Sequence, residues 1–134
     1  MADIAMHSVD GECITVISIS ERLGISKIYL EQVFSLLKKG GLVHSVKGAQ
    51  GGYQLARPPQ QITAYDILRP VETALFEAPE VTSSEKEPDI DEVLKAHVFG
   101  PLGDAVKSTL SGITLEDLKH EIEKRGSDGF MFFI

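Results

Sequence analysis

Apolar side chains near the start of the chain recur at three- and four-residue intervals, the spacing of a helix with one buried face. Val16, Ile19 and Leu23 share such a face, Thr15 before them is a typical N-cap, and Gly24 ends the predicted helix. Only one residue separates this glycine from the next candidate cap, which leaves room for a tight turn.

The clearest helix of the sequence is predicted over residues 27–39, after the N-cap Ser26. Its apolar stripe consists of Leu30, Val33, Phe34 and Leu37. Two lysines lie in the last turn, where the helix dipole favours cations, and Gly40 and Gly41 stop the helix.

After these glycines the pattern changes to that of short strands. Residues 42–46 and 52–56 are predicted to form a hairpin around the glycine-rich loop 47–51. Residues 15–57 therefore predict helix, tight turn, helix and hairpin, which is the winged helix-turn-helix arrangement of many DNA-binding proteins. The predicted fold class is mainly α with a small β-hairpin wing.

The second half of the chain predicts more helices. Thr63 and Thr114 each precede an aspartate by three residues, the pattern of a capping box. Between them lies an apolar stripe that is predicted to form a long helix with a kink at Gly100-Pro101. The stripe contains Ile90, Val93, Leu94, Val98, Leu102, Val106 and Leu110. Such a helix needs a partner, and we expect a homodimer through Val93, Leu94, Val98, Leu102 and Val106.

The predicted division of the chain has three parts. Residues 1–75 form the winged helix-turn-helix domain, 76–90 an acidic mobile loop, and 91–134 the dimerisation helix and a C-terminal helix with an apolar tail.

Charge is distributed unevenly. The chain of 134 residues has a net charge of −7, but residues 20–57 carry +4 and residues 58–134 carry −8. The basic segment can still contact phosphate, because screening limits electrostatic fields to roughly 10 Å. Because no apolar run is long enough to span a membrane, no membrane span is expected, and the residues at the start of this sequence do not predict a secretory leader. Cys13 is the single cysteine, so the sequence predicts a reducing, cytoplasmic location without a disulfide or an all-cysteine metal site.

Candidate DNA-binding residues follow from this arrangement. On the recognition helix they are Ser26, Lys27, Ile28, Tyr29, Glu31 and Gln32. On the wing they are Lys47, Gly48, Gln50 and Gly51. Groups at a helix N-terminus can reach phosphates and base edges, a glutamate can accept from cytosine, and a lysine between small residues can approach the minor groove. Double-stranded DNA is the predicted partner.

Four segments of this region resemble the Rrf-two (BadM-type) family of winged-helix transcriptional regulators. They read ISKIYLEQVF (25–34), LLKKGGLV (36–43), SVKG (45–48) and GGYQLARP (51–58). The resemblance covers about residues 2–75 closely and 90–125 loosely. It implies a homodimeric regulator, in most members a repressor, that binds a pseudo-palindromic operator with one winged helix on each half-site.

The sequence departs from the family pattern at three places. Family members begin with a full first helix, of which residues 2–9 are here the predicted end. In the wing, Lys47 and Ala49-Gln50 stand where the family has arginine and proline. Cluster-binding members carry three cysteines before the long helix, whereas the matching stretch 77–97 has none and is acidic, so we expect no cofactor and no metal.

Other functions have weaker support. The loop 47–52 lacks the lysine and hydroxyl residue that end a phosphate-binding loop, and no pattern links Cys13 to a catalytic histidine, so an enzyme is not predicted. The main alternative is a winged-helix protein-interaction module with weak or no DNA binding. The sequence leaves open whether a protein or small-molecule effector controls the regulator.

Overall fold

The computed structural model describes residues 1–8, 11–48, 51–73, 76 and 88–132, with the backbone alone at 88 and 127–132. These residues form seven helices and one hairpin, which are numbered in chain order. They are α1 (Ala2–His7), α2 (Val16–Leu23), α3 (Lys27–Lys39), β1 (Val43–Val46), β2 (Gly52–Leu55), α4 (Ala64–Val71), α5 (Pro88–Leu94), α6 (Gly100–Ser111) and α7 (Leu115–Phe132). A 3₁₀ turn (Pro59–Gln61) precedes α4, and a π-helical turn (Lys95–Phe99) joins α5 to α6.

The helix-turn-helix unit has the predicted boundaries because its caps form. The Thr15 hydroxyl accepts a hydrogen bond from the Ser18 amide at 3.1 Å, and Gly24 ends α2 in the left-handed conformation with φ +67°. Ser26 Oγ then accepts from the Tyr29 amide at 3.4 Å and starts α3. The helix-turn-helix prediction is confirmed to the residue at the start and end of α3.

The wing is an antiparallel hairpin in which Val43 lies opposite Leu55 and Val46 opposite Gly52. A backbone pairing that the sequence did not predict holds the other side of β2. Ile14, just before α2, pairs with Tyr53 through two backbone hydrogen bonds of 2.9 and 2.8 Å. The hairpin is thereby tied to the segment that leads into α2.

The hydrophobic core lies between the winged helix and the start of α7. Its buried members are Ile4, Ala5, Ile14, Ile19, Leu30, Phe34, Leu37, Leu42, Val43, Ile62 and Leu115. Leu115 donates its amide to the Ile62 carbonyl at 2.7 Å, and the Ala64 amide donates to Ile113 at 2.8 Å. The C-terminal helix, which the sequence grouped with the dimerisation helix, is therefore anchored in the core of the winged domain.

Both predicted capping boxes are present. At the start of α4 the Thr63 amide donates to Asp66 at 3.0 Å and the Asp66 amide donates to the Thr63 hydroxyl at 3.1 Å. Thr114 and Asp117 repeat this exchange at 2.9 and 3.0 Å. The hydrogen bonds from Thr114 lower the pKa of the Asp117 carboxyl below its ordinary value.

The long helix differs from the prediction at its start and in its middle. It begins at Pro88, so the expected loop over 76–90 is too long at its C-terminal end, because proline is well suited to a first helical turn. The predicted mobility of the acidic stretch concerns residues that are mostly outside the described ones. A π-helical turn lies just before the Gly100-Pro101 step where a kink was expected, and the Gly100 amide donates to the Lys95 carbonyl. A wider turn accommodates a proline that has no amide hydrogen to donate.

The sequence predicts a C-terminal helix with an apolar tail. The backbone of α7 continues through this stretch to Phe132. Within the described residues, no helix combines the length and apolar character that crossing a membrane requires.

Candidate nucleic-acid interface

The N-terminus of α3 has backbone amides that form no hydrogen bond within the helix. Ser26 occupies the Tyr29 amide, while the amides of Lys27 and Ile28, in the first turn, have no acceptor within the helix. The positive end of the helix dipole adds to the attraction for an anion at this position. A phosphate group is the ligand that such a terminus binds.

The six predicted recognition-helix residues are all exposed. Ile28 and Tyr29 are 70% and 56% exposed, an unusual state for large apolar side chains, whereas Leu30 and Phe34 on the other side of α3 are buried. The core therefore holds one face of α3 and leaves the opposite face free for contact with a partner.

Glu31 has a cation beside it on the same face of α3. The Lys27 ammonium lies 3.8 Å from its carboxylate, and both side chains are 54% exposed. An exposed pair of this kind is weak. Glu31 can therefore release Lys27 to bind a base, and Lys27 can release Glu31 to bind a phosphate. Gln32, the neighbouring residue, offers both a donor and an acceptor.

At the wing tip, positions 48 and 51 require glycine because any other residue would be strained or would clash there. Gly48 has φ +122°, and a Cβ on Gly51 would lie 2.2 Å from the Val46 carbonyl oxygen. The Gly51 amide donates to Gly48 at 3.0 Å and closes the turn. Lys47 stands exposed at the end of β1. The predicted wing residue Gln50 lies outside the described residues.

An ion pair that the sequence did not predict joins α1 to α2. Arg22 donates two hydrogen bonds to the Asp3 carboxylate, at 3.0 and 2.7 Å. This guanidinium holds the pKa of Asp3 below its ordinary value, and the carboxylate raises the pKa of Arg22. No local pattern could reveal a pair separated by nineteen residues. Ser20 also donates to the Ile25 carbonyl at 2.6 Å, which fixes the turn into α3.

The predicted dimerisation residues form an apolar stripe along α5, the π-helical turn and α6. We call Val93, Leu94, Val98, Leu102 and Val106 the dimer stripe. Val93, Val98 and Leu102 are 56%, 47% and 57% exposed, while Leu94 and Val106 are half-buried. The protomer therefore leaves much of this apolar surface uncovered.

Comparison with known proteins identifies the family. The profile of the Rrf2 family, described as iron-dependent transcriptional regulators, matches residues 1–121. The chain belongs to the Rrf2 family. The predicted resemblance and the predicted class of a DNA-binding transcriptional regulator rather than an enzyme are thus confirmed. The alternative of a pure protein-interaction module is not favoured.

Relatives of known name agree with this assignment. The HTH-type transcriptional regulator IscR of Photorhabdus laumondii is 37% identical over 123 residues, which cover 92% of this chain and 74% of IscR. The regulator CymR of Bacillus subtilis is 38% identical over 117 residues, covering 87% of this chain and 79% of CymR. Both are named as helix-turn-helix regulators.

Solved structures show the same fold. The structure of CymR, the global cysteine regulator of B. subtilis, matches with a TM-score of 0.68 and 35% identity over 90% of this chain and 87% of that one. IscR of T. potens matches with a TM-score of 0.64 and 38% identity over 92% and 80%. The Rrf2 winged-helix architecture is therefore the fold of this chain.

The described residues of this Rrf2 protein do not fit an iron centre. Cys13 is the single cysteine of the chain. Within the described ranges, no three side chains of histidine, cysteine, aspartate or glutamate are grouped so that they could hold a metal ion. We therefore derive no role for iron in the function of this chain.

Proposed function

We propose that this Rrf2 protein is a cytoplasmic repressor that binds a pseudo-palindromic operator as a homodimer, without a bound cofactor. The observation that carries the proposal is the N-terminal half of α3, which is exposed on one face and fixed by the core on the other. A helix held in this way can enter the major groove without being reordered on binding.

Base reading is assigned to the exposed side chains of α3. Glu31 accepts a hydrogen bond from the amino group of a cytosine, and Gln32 can pair with an adenine edge. Ser26, Lys27 and the first amides of the helix contact the phosphate that flanks these bases. Ile28 and Tyr29 supply apolar contact, for which thymine methyl groups are suitable partners.

The wing is assigned to the backbone and the neighbouring minor groove. Lys47 contacts a phosphate, and the glycines Gly48 and Gly51 let the strand lie close to the duplex. Gln50 belongs to the same proposal by its position in the sequence. Lysine lacks the planar donor fork of arginine, so the wing contributes more affinity than base preference.

The dimer stripe sets the symmetry of the operator. Two copies that bury this stripe against each other place one recognition helix on each half-site. The half-sites are expected one helical turn apart, about 10 base pairs, or a multiple of that distance. A protein or small-molecule effector could act by changing the relative position of the two winged domains.

Selection of bound sequences from random duplex DNA tests this proposal. We expect enrichment of an inverted repeat and binding that weakens steeply with salt. A protein that selects no sequence and shows no salt-sensitive binding would overturn the proposed DNA reading. Enrichment of single, unrepeated half-sites would contradict the proposed homodimer.

The absence of a cofactor has its own test. The protein is purified anaerobically, and its iron and acid-labile sulfide are measured. We expect neither in stoichiometric amount and no visible absorption. Stoichiometric iron and sulfide would refute the cofactor-free proposal and leave the DNA-binding proposal unaffected.

A further inference from the structure

Tyr53 connects three parts of the winged domain at one point. On β2 it lies opposite Ser45 of the partner strand. Its backbone forms both hydrogen bonds to Ile14. Its ring stacks on Phe34 of the recognition helix, with ring centroids 4.5 Å apart and planes inclined by 23°. The wing, the segment before α2 and α3 therefore meet at this residue.

The stack of Tyr53 on Phe34 connects the wing to the buried face of α3. Phe34 is 2% exposed and belongs to the same buried face of α3 as Leu30 and Leu37. Because that face is packed, the Phe34 ring cannot move without α3. A ring stacked on it with a defined separation and inclination therefore takes its position from the recognition helix.

The strand itself lies unusually close to its neighbour. A Cβ on Gly52 would lie 2.5 Å from the Ile14 carbonyl oxygen, so a larger residue would push the strands apart. The Gln54 side chain donates to the Gly11 carbonyl on the same side. These contacts fix the base of the wing next to the segment that leads into α2.

We propose that Tyr53 is a positioning residue for DNA binding, whose ring holds the wing at a fixed orientation relative to α3. In that orientation Lys47 reaches the backbone while the N-terminus of α3 lies in the major groove. This inference rests on the proposed DNA binding. It adds a residue that does not itself contact DNA but determines whether the two DNA contacts are made together.

A double-mutant cycle between Tyr53 and Lys47 tests the inference. Affinity for a selected duplex is measured over a range of salt concentrations. Lys47→Ala removes one phosphate contact from each protomer of the proposed dimer, so it should lower the slope of log affinity against log salt by about 1.8, or about 0.9 for each neutralised phosphate. Tyr53→Leu, which keeps an apolar side chain but removes the stack, should lower the slope by the same amount. Adding Lys47→Ala to Tyr53→Leu should then change the slope no further.

Three further variants separate positioning from loss of stability. Tyr53→Phe keeps the stacked ring and should retain the wild-type slope. Tyr53→Met is the second choice if Tyr53→Leu fails to fold, and it should behave as Tyr53→Leu does. Leu55→Ala, at the next position on the same face of β2, should lower the melting temperature but leave the slope unchanged.

The possible outcomes distinguish this inference from the proposed function. Additive slope changes in the cycle, or a wild-type slope in folded Tyr53→Leu, would overturn the positioning role. A reduced slope in Leu55→Ala would also overturn it, because any loosening of the wing would then suffice. Failure of the wild-type protein to bind any duplex would refute the proposed DNA binding itself.

Discussion

A charge introduced into the dimer stripe should dissociate the proposed homodimer. Leu102→Glu replaces an apolar side chain in the first turn of α6 by a carboxylate. If two copies of the stripe pack across a twofold axis, each substitution enters the interface twice. The dissociation constant of the homodimer should therefore be very sensitive to this change, whereas the fold of the protomer should not be.

The size of the effect follows from the exposure of Leu102, which is 57% in the protomer. Full burial of a leucine side chain stabilises by about 1.5–3 kcal/mol, so covering the exposed half contributes about 1 kcal/mol per protomer. Its loss from both protomers costs roughly 2 kcal/mol, a factor of about thirty in the dissociation constant. Enclosing two carboxylates in the interface costs several kcal/mol more, which raises the expected effect above about a thousandfold.

Sedimentation or light scattering over a range of protein concentrations measures this constant. Ser108→Glu is the matched control, because it adds the same charge to the same helix at an exposed position outside the stripe. The control should remain dimeric at concentrations where Leu102→Glu is monomeric, and both should keep the helical circular dichroism of the parent. A dissociation constant for Leu102→Glu within threefold of the parent value would place the interface elsewhere.

Three other changes have distinct expected results. Lys47→Ala should weaken binding to all duplexes in filter or fluorescence titrations; weakening confined to one sequence would contradict a phosphate contact. Glu31→Ala should relax the choice at one base pair of each half-site by roughly 1–3 kcal/mol in competition assays, and an unchanged base preference would refute its reading role. Because Arg22 lowers the pKa of Asp3, the pair stabilises the fold above about pH 4, and this stabilisation is lost as the pH falls through the lowered pKa. Asp3→Asn should therefore unfold more easily than the parent in urea at pH 7, and the difference should shrink as the pH is lowered below about 4. A difference that does not depend on pH would contradict the ion pair.

Local signals in the sequence accounted for the helix-turn-helix unit. Thr15 and Gly24 determine where α2 begins and ends, and Ser26 determines where α3 begins, through hydrogen bonds or torsion angles that involve only neighbouring residues. The capping boxes at Thr63 and Thr114 are local in the same sense. Such elements can be predicted because the residues that form them are adjacent in the chain.

Contacts between distant segments could not be predicted in this way. The pairing of Ile14 with Tyr53 and the ion pair between Asp3 and Arg22 join residues far apart in the sequence. The stacking of Tyr53 on Phe34 has the same character, since an aromatic residue in a short strand is ordinary on its own. The candidate DNA-binding residues were located by pattern and family resemblance, whereas the contacts of Tyr53 with Phe34 and Ile14 are visible only in the fold.

The uneven charge of the chain is compatible with DNA binding and affects how binding occurs. The recognition helix, at thirteen residues, is about 20 Å long. At physiological salt, charges separated by more than roughly 8 Å are largely screened from each other, so an acidic group of residues 58–134 weakens the attraction of Lys27 or Lys47 for a phosphate only if it lies within about that distance. When other faces approach a duplex, however, these acidic groups are repelled. The net charge of −7 therefore disfavours non-specific contact by the rest of the surface and favours encounters through the basic segment, where α3 and the wing can read the sequence.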